Sequence, residues 1–481
     1  MPSDLDAVII GSGPNGLAAA IRLAQAGLRV HVIEAKERPG GGMRTEELTL
    51  PGFHHDVCSA CHPMGVLSPY LKTLPLDEHG LEWVFPEASF AHPLDDEPAV
   101  MLYEDVERTA AELGNDSQRY RRLVAPFLRN PEGLLADGLA PLRIPNHPIL
   151  LARFGLRALR SAMGLARGQF KGTRAQALFA GCAGHGIVPL DFWFSAAIAL
   201  IFLVTGHVKS WPVARGGSES IARAMVSFLR ALGGTIETDR QITSARELPA
   251  ARAYLFDTSP AQLSSIAGDL LPPRYHRRLD RYRYGPGVFK VDWALSERIP
   301  WRDERVHEAS TVHLGGTLEE IAAAERDMWE GRHSKRPYMI LVQQSNFDRR
   351  RAPDGKHTGY AYCHVPANST EDLTDVLESQ IERFAPGFRD IVEAKVTRNT
   401  TQWQKHNANY VGGAITGGVA DMWQLFTRPV ARLNPYTTPN RHLFICSAST
   451  PPGGGVHGMC GFHAAETVLK RLGKLPVLAP S

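Results

Sequence analysis

The stretch from Asp6 to Gly16, DAVIIGSGPNG, decides the fold. DAVII is a short apolar run bounded by polar and glycine residues, which predicts a buried strand. Leu17 to Ala26 then shows helical spacing rich in alanine, and Leu28 to Ile33 reads as a second strand ending at Glu34. Between strand and helix, Gly11 permits a tight turn, Gly13 lets the backbone approach a pyrophosphate, and Gly16 lets the helix pack on the strand. Pro14 and Asn15 complete the loop. The helix N-terminus offers free N–H groups and a partial positive charge to phosphates. Glu34, eighteen residues after Gly16, stands where a carboxylate can accept both hydroxyls of a ribose. A glycine pattern alone says little. Set between a strand and a helix, with the acid in place, it predicts a Rossmann-type dinucleotide site.

Glu34 is followed by AKERPGGGMRTEE. Ala35, Gly41, Gly42 and Arg44 extend the site along a long cofactor, which selects FAD over NAD. The far end of the chain repeats the arrangement: a strand (Arg441 to Cys446), a glycine loop (SASTPPGGGVHGMCG) and a helical run, FHAAETVLKRLG. Ser449, Gly455, Val456 and His457 lie in that loop, His457 acting through its backbone. A helix N-terminus there would set N–H groups near flavin N1 and O2 and stabilise the reduced ring.

Four stretches carry a family likeness: WPVARGGSESIARAM (211–225), FKVDWAL (289–295), HNANYVGGAITGG (406–418) and NPYTTPNRHLFICSASTPPGGGVHGMCG (434–461). In this order they resemble the phytoene dehydrogenase-like flavoproteins of the amine oxidase/phytoene desaturase superfamily. The pattern is most similar to the branch holding pyridine nucleotide-disulfide oxidoreductase domain-containing protein 2, rather than to the carotenoid desaturases. The resemblance implies an α/β fold: a Rossmann-like FAD-binding domain of the glutathione-reductase type with an inserted α+β substrate domain. It divides the chain into a discontinuous FAD-binding domain (1–70, 213–282 and 436–481) and a substrate domain (71–212 and 283–435). It also implies that the residue near Ile242 meets adenine through its backbone. One departure stands out. Many relatives carry Gly-Asp at the end of the C-terminal strand, whereas this chain has Ser447, Ala448 and Ser449; a serine hydroxyl can replace the carboxylate as hydrogen-bond partner.

Between these motifs the chain offers little acid–base machinery. No Ser-His-Asp or metal-binding set is apparent, and the nineteen histidines look scattered. A flavin beside an insert rich in Leu, Ala, Phe and Trp suits removal or addition of hydrogen on an apolar substrate, isoprenoid or lipid-like, with hydride passing to flavin N5. Excluding water is then the protein's main task. Lys290, in GVFKVDWAL, alternates with apolar neighbours as in a half-buried strand. In amine oxidase relatives a lysine on a comparable strand holds a water against the flavin; the alternative is a strand lysine reaching solvent. His54-His55-Asp56 reads first as a surface turn, and second, through His55 and Asp56, as a pair close to the flavin. Two further functions stay open: an amine oxidase, whose aromatic cage would draw on Trp403, Tyr410 and Trp423, and a non-catalytic flavoprotein scaffold. No second glycine fingerprint for a nicotinamide cofactor is evident, so electrons are expected to leave to oxygen or a quinone.

Composition excludes other classes. Of 481 residues, 43 % are hydrophobic and 21 % charged, as in a globular protein, and a net charge of +3 gives no reason to expect nucleic acid as partner. Six cysteines do not make a disulfide framework, and the Cys58–Cys61 spacing lacks a second pair to complete a zinc set, so no metal is expected. The opening MPSDLD shows no export signal, which favours the cytoplasm. The apolar run Leu190 to Val204 is too short to span a bilayer and reads as a buried helix lining an apolar cavity. Residues 148–170 alternate apolar and basic positions at helical spacing. Such a segment is first a solvated surface helix and second one that lies on an anionic membrane. An exposed apolar mouth would favour membrane contact or self-association.

Overall fold

A computed structural model describes residues 5–473; the first four residues of the MPSDLD segment lie outside them. The chain opens with β1 (Leu5–Ile10), α1 (Pro14–Gln25) and β2 (Val30–Ile33). It then supplies β3 (Ala88–His92) and β4 (Val100–Tyr103) to a second sheet. A helical run follows, including α2 (Pro148–Ala158), α3 (Ala162–Gln169), α4 (Thr173–Gly184) and α5 (Ala196–Val208). The chain returns through α6 (Glu219–Ala231), β5 (Thr235–Glu237) and β6 (Ala251–Phe256). A second excursion builds β7 (Gly287–Leu295), β8 (Ala309–Leu314), α7 (Leu318–Trp329), β9 (Met339–Val342), β10 (His357–Val365) and β11 (Val392–Arg398). It ends with β12 (Leu443–Ile445) and α8 (Met459–Leu472).

The first sheet is fully parallel, in the order β12-β6-β1-β2-β5, and draws its strands from the start, the middle and the end of the chain. Ala7, Ile9, Val30 and Val32 pack with α1, α6 and α8 on one face, while Val8, Ile10, Ile33 and Phe256 pack on the other. Burial on both faces explains why these strands read as continuous apolar runs. The alanines of α1 let α8 come close. A Cβ on Gly461 of α8 would stand 1.8 Å from the Asn15 carbonyl oxygen, so this crossing admits glycine alone.

The second sheet has the order β11-β7-β10-β9-β8-β3-β4 and is antiparallel except between β8 and β3. Its central pair, β7 with β10, holds register over nine residues, from Gly287 opposite Val365 to Leu295 opposite His357. Side chains alternate across the sheet. Phe289, Val291, Trp293 and Leu295 join one apolar core with Leu341, Ala361 and Phe388. Val288, Lys290 and Asp292 point the other way, towards the Gly-loop side and the helices, and are just as buried. The basic amphipathic segment 148–170 is two helices, α2 and α3, rather than one. The apolar run 190–204 enters α5 only at Ala196, and α5 is a buried helix.

Candidate active site

The glycine loop is shaped by what it must approach. Gly11 sits at φ 100°, a conformation open to glycine, and a Cβ on Gly16 would lie 2.2 Å from the Gly11 carbonyl oxygen. Glu34, just past β2, accepts Ser12 N–H at 3.0 Å and the Ser12 hydroxyl on one oxygen. Its other oxygen accepts Lys36 N–H at 3.0 Å and Arg44 Nη2 at 3.3 Å. Arg44 is itself buried and also donates to the Arg38 carbonyl at 2.8 Å. The second loop abuts the first: a Cβ on Gly41 would come within 2.9 Å of Gly13 Cα, and Gly40 N–H donates to the Ser12 carbonyl. Gly13, Pro14, Gly41 and Gly42 keep accessible surface, as a ligand cradle requires, and Ala35 is exposed beside Glu34.

At the far end of the chain Gly454 and Gly455 are exposed and Val456 is half-buried, just ahead of α8. His457 is buried; its Nδ1 accepts Met459 N–H at 3.0 Å and its carbonyl accepts the Ser68 hydroxyl at 2.6 Å. Ser449 is buried, with its hydroxyl 2.6 Å from that of Ser447. Ile242 packs beneath the ends of β1 and β2 with Ile10 and Ile33, and Arg240 N–H in the same segment bonds the Glu34 carbonyl. All of these elements meet around the N-terminus of α1.

Sequence reasoning missed Asp257, at the end of β6. Its Oδ2 accepts Gly16 N–H at 2.9 Å and so caps α1 where phosphates are expected. Burial pushes its carboxyl up to about 8, with Glu34 adding to the rise. At neutral pH Asp257 is therefore mostly uncharged, which removes its conflict with a diphosphate. Beside it, Asn15 Oδ1 and Thr258 Oγ1 are buried without a partner. Open glycines, free polar atoms at a helix N-terminus and a carboxylate at the strand tip together fit a dinucleotide such as FAD.

His54–Asp56 is not a surface turn. It is a short strand paired with Thr45–Glu47, and both His55 and Asp56 are buried. Asp56 accepts Arg351 Nη2 and the Thr45 hydroxyl at 2.8 Å each and Ser218 N–H at 2.8 Å. Burial by itself would raise the Asp56 carboxyl, yet Arg351 beside it and these bonds hold it below its usual range. Nor does Lys290 reach solvent. Its Nζ donates to the Asp56 carbonyl at 2.8 Å and the Val57 carbonyl at 2.9 Å, meets Asp292 Oδ2 at 2.8 Å and lies over the Tyr360 ring. Three donors and three acceptors leave the ammonium no N–H for a water. His55 Nδ1 stands 3.6 Å from Asp292, and burial brings His55 down to about 4, so its ring is neutral.

The histidines are not scattered either. Register aligns Lys290, Tyr362, Ile340 and His313 in one row across four strands, on the face that turns towards α4 and α5. Neighbouring strands are about 4.8 Å apart, so the row spans about 14 Å. At its far end His313 Nε2 and His185 Nε2 are 2.8 Å apart, and His92 Nε2 donates to the Gly316 carbonyl at 2.7 Å. Next to Tyr362, His364 Nδ1 is held by Glu325 at 2.8 Å. Cys58, Cys61, His185, Phe202 and Tyr362 stand against core residues and still keep accessible surface. Cys58 and its neighbour adjoin the second glycine loop: Ser59 N–H bonds the Gly42 carbonyl and Cys58 lies against Gly42. Cys58 and Cys61 are free thiols that burial pushes upward, Cys61 to about 11. Of the three cage aromatics, Trp403 and Tyr410 stand edge to face at 5.8 Å, with Tyr410 Oη near Cys58; Trp423 is 75 % exposed and apart from them.

A family model described as an NAD(P)-binding Rossmann-like domain matches residues 9–74. Along 98 % of its length the chain is 25 % identical to pyridine nucleotide-disulfide oxidoreductase domain-containing protein 2 of Rattus norvegicus, covering 94 % of that protein. It is 22 % identical to the lycopene-forming phytoene desaturase of a Paracoccus species, over 96 % of each chain. A solved putrescine oxidase variant shares the fold with a TM-score of 0.63 at 16 % identity, over 97 % of this chain and 99 % of that one. The glycine cradle, the parallel sheet gathered from both ends of the chain and this full-length likeness lead to one conclusion: the protein is homologous to the phytoene desaturases and carries a Rossmann-like dinucleotide-binding domain, with its structural neighbours among the amine oxidases and related FAD-dependent oxidoreductases.

Proposed function

We propose that the protein dehydrogenates an apolar, isoprenoid- or lipid-like molecule that lies in a cleft between the Lys290–His313 row and helices α4 and α5. Saturation or isomerisation would use the same parts. The observation that carries this reading is that aromatic and apolar side chains packed against the core, Phe202, Tyr362, Cys61 and Cys58, keep accessible surface, and that Cys58 adjoins the loop at Gly42. Bound FAD supplies a two-electron acceptor for hydride, and oxygen or a quinone would take the electrons on. The chain's own contribution is to hold the apolar molecule and keep water away, with Phe202, Tyr362, Ile187 and Trp211 as walls. Lys290 acts as a positioning residue: it ties the Asp56 and Val57 carbonyls to the sheet and so sets the wall next to the cofactor. His55 and Asp56 serve the same web. Anaerobic mixing with an isoprenoid lipid extract, followed by product analysis, tests the reading; bleaching of the flavin bands with loss of two hydrogens supports it, whereas return of the bands of pre-reduced flavin with gain of two hydrogens selects saturation.

The Trp403–Tyr410 pair favours an amine oxidase as second reading, since two aromatic faces can hold a neutral amine. Peroxide release from simple amines, without reaction on lipids, would select it. Bands that respond to neither class would point to a flavoprotein scaffold. We further propose that α2 rests on an anionic membrane surface. Ile149, Arg153, Leu156 and Arg160 follow one another on one side of this segment at helical spacing and are exposed. Among the described residues no helix is long and apolar enough to cross a membrane. The same exposed flank would also serve self-association.

A further inference from the structure

Large apolar side chains that face solvent gather on one side of the molecule. Trp193 is 70 % exposed and Trp423 75 %, with Leu156, Leu159 and Phe426 also exposed. Three contacts join them. Phe194 N–H bonds the Leu159 carbonyl and Ala196 N–H the Arg160 carbonyl, so the Trp193–Phe194 turn ahead of α5 lies against the end of α2. The Phe194 ring then meets the Phe426 ring edge to face at 5.5 Å. Trp423 stands three residues before Phe426, about one turn away in and beyond the short helix Met422–Leu425.

The charge beside these rings has one sign. A groove of about 380 Å³ opens next to Trp423, lined by Arg278, Arg281 and Thr427. Arg274, Arg277 and Arg278, on the helix Pro273–Asp280, and Arg281 just beyond it are all exposed. Among the described residues neither Arg278 nor Arg281 has an ion pair or a side-chain hydrogen bond. The acids nearby are engaged: Asp421 with Arg283 at 2.6 Å, Asp280 with His276 at 3.0 Å and Asp191 with Arg326. No Asp or Glu occurs from 138 to 190 or from 422 to 465, where every charged residue is Lys or Arg.

Exposed aromatic rings interleaved with unpaired cations suit the headgroup layer of an anionic membrane, where Trp settles and each Arg gains from the surface potential. A second copy of the chain seated on the same face would set the same arginines against one another. We infer that this face is a second membrane contact, in which Trp193, Trp423 and Phe426 enter the headgroup layer and Arg278 and Arg281 take lipid phosphates in the groove. The inference rests on the reading of α2 as a membrane-bound helix and extends it. One helix alone leaves the molecule free to pivot on the lipid, whereas two contacts joined through Phe194 fix its orientation, with the start of α5 turned to the membrane.

The test is cosedimentation of the FAD-loaded full chain with phosphatidylcholine vesicles, with and without phosphatidylserine. Trp423→Ser with Phe426→Ser is expected to lower partitioning into the phosphatidylserine vesicles about tenfold or more, at unchanged flavin content. Arg278→Glu with Arg281→Glu should lower it comparably and flatten its dependence on salt. Full binding by both double variants, while Ile149→Glu with Leu156→Glu no longer sediments, overturns this inference and leaves α2 as the membrane contact. An unaltered chain that does not sediment overturns both readings. A dimer in lipid-free solution that Trp423→Ser with Phe426→Ser dissociates would assign the face to self-association and overturn the inference as well.

Discussion

Lys290 Nζ lies 2.8 Å from Asp292 Oδ2, two residues along the same strand, and both side chains are sealed from solvent. The pair is locked further by the Asp56 and Val57 carbonyls, so the sheet and the flavin-side loop share one charge. Removing one member of a buried pair strands the other, at a cost of about 3–5 kcal/mol. Lys290→Met is therefore expected to lose that much stability in urea unfolding. Combining it with Asp292→Leu should restore most of the loss, because no bare charge remains.

The same logic applies to Arg351, which stands between Asp56 at 2.8 Å and Asp348 at 3.4 Å with all three buried or nearly so. Arg351→Met is expected to destabilise the chain by about 3 kcal/mol or more. It should also weaken FAD retention, because Asp56 anchors Ser218 and Thr45 beside the Arg44 loop. Unfolding midpoints and flavin content of the purified variant check both.

Asp257 yields a pH dependence. Its carboxyl is pushed from 3.8 up to about 8 in the fold. Between those values the unfolded chain gives up a proton that the folded chain keeps, so the Asp257 contribution to stability falls as pH rises from about 4 to about 8. The slope is at most about 1.4 kcal/mol per pH unit. Asp257→Asn keeps an acceptor for Gly16 N–H and cannot ionise. The difference in unfolding free energy between the two proteins should therefore shift in favour of the variant across that window and level off above it.

Vesicle binding tests the α2 surface. Ile149→Glu with Leu156→Glu is expected to abolish sedimentation with phosphatidylserine vesicles and leave FAD content unchanged. Arg153→Glu should weaken it mainly at low salt. Undiminished sedimentation of the double variant would remove α2 from the contact.

The opening strand, helix and acid were legible because the chemistry is local: three glycines, an alanine-rich helix and Glu34 fall within thirty residues of one another. The C-terminal glycine loop was legible for the same reason. What escaped depends on contacts remote in sequence. The bond between Asp56 and Arg351 joins residues 295 positions apart, and nothing near Asp56 hints at it, so a His-His-Asp run read as a turn. His185 and His313 meet through a strand and a helix end, and a list of histidine positions cannot show that. Lys290 illustrates a subtler failure. Its alternation marked the strand correctly, but alternation of polar and apolar residues implies one wet face, and here helices and loops cover both. Tyr360, Tyr362 and His364, alternating in β10, were the signal that could have revealed the second buried face.

The central claim, that this chain binds FAD on the Gly11–Glu34 loop and uses it, is tested most directly by the absorbance spectrum of the purified protein before and after anaerobic addition of an isoprenoid lipid extract. Flavin bands that bleach on addition, and that are lost from a Gly13→Val variant that remains folded, are the expected result. A colourless protein that fails to take up added FAD would contradict it.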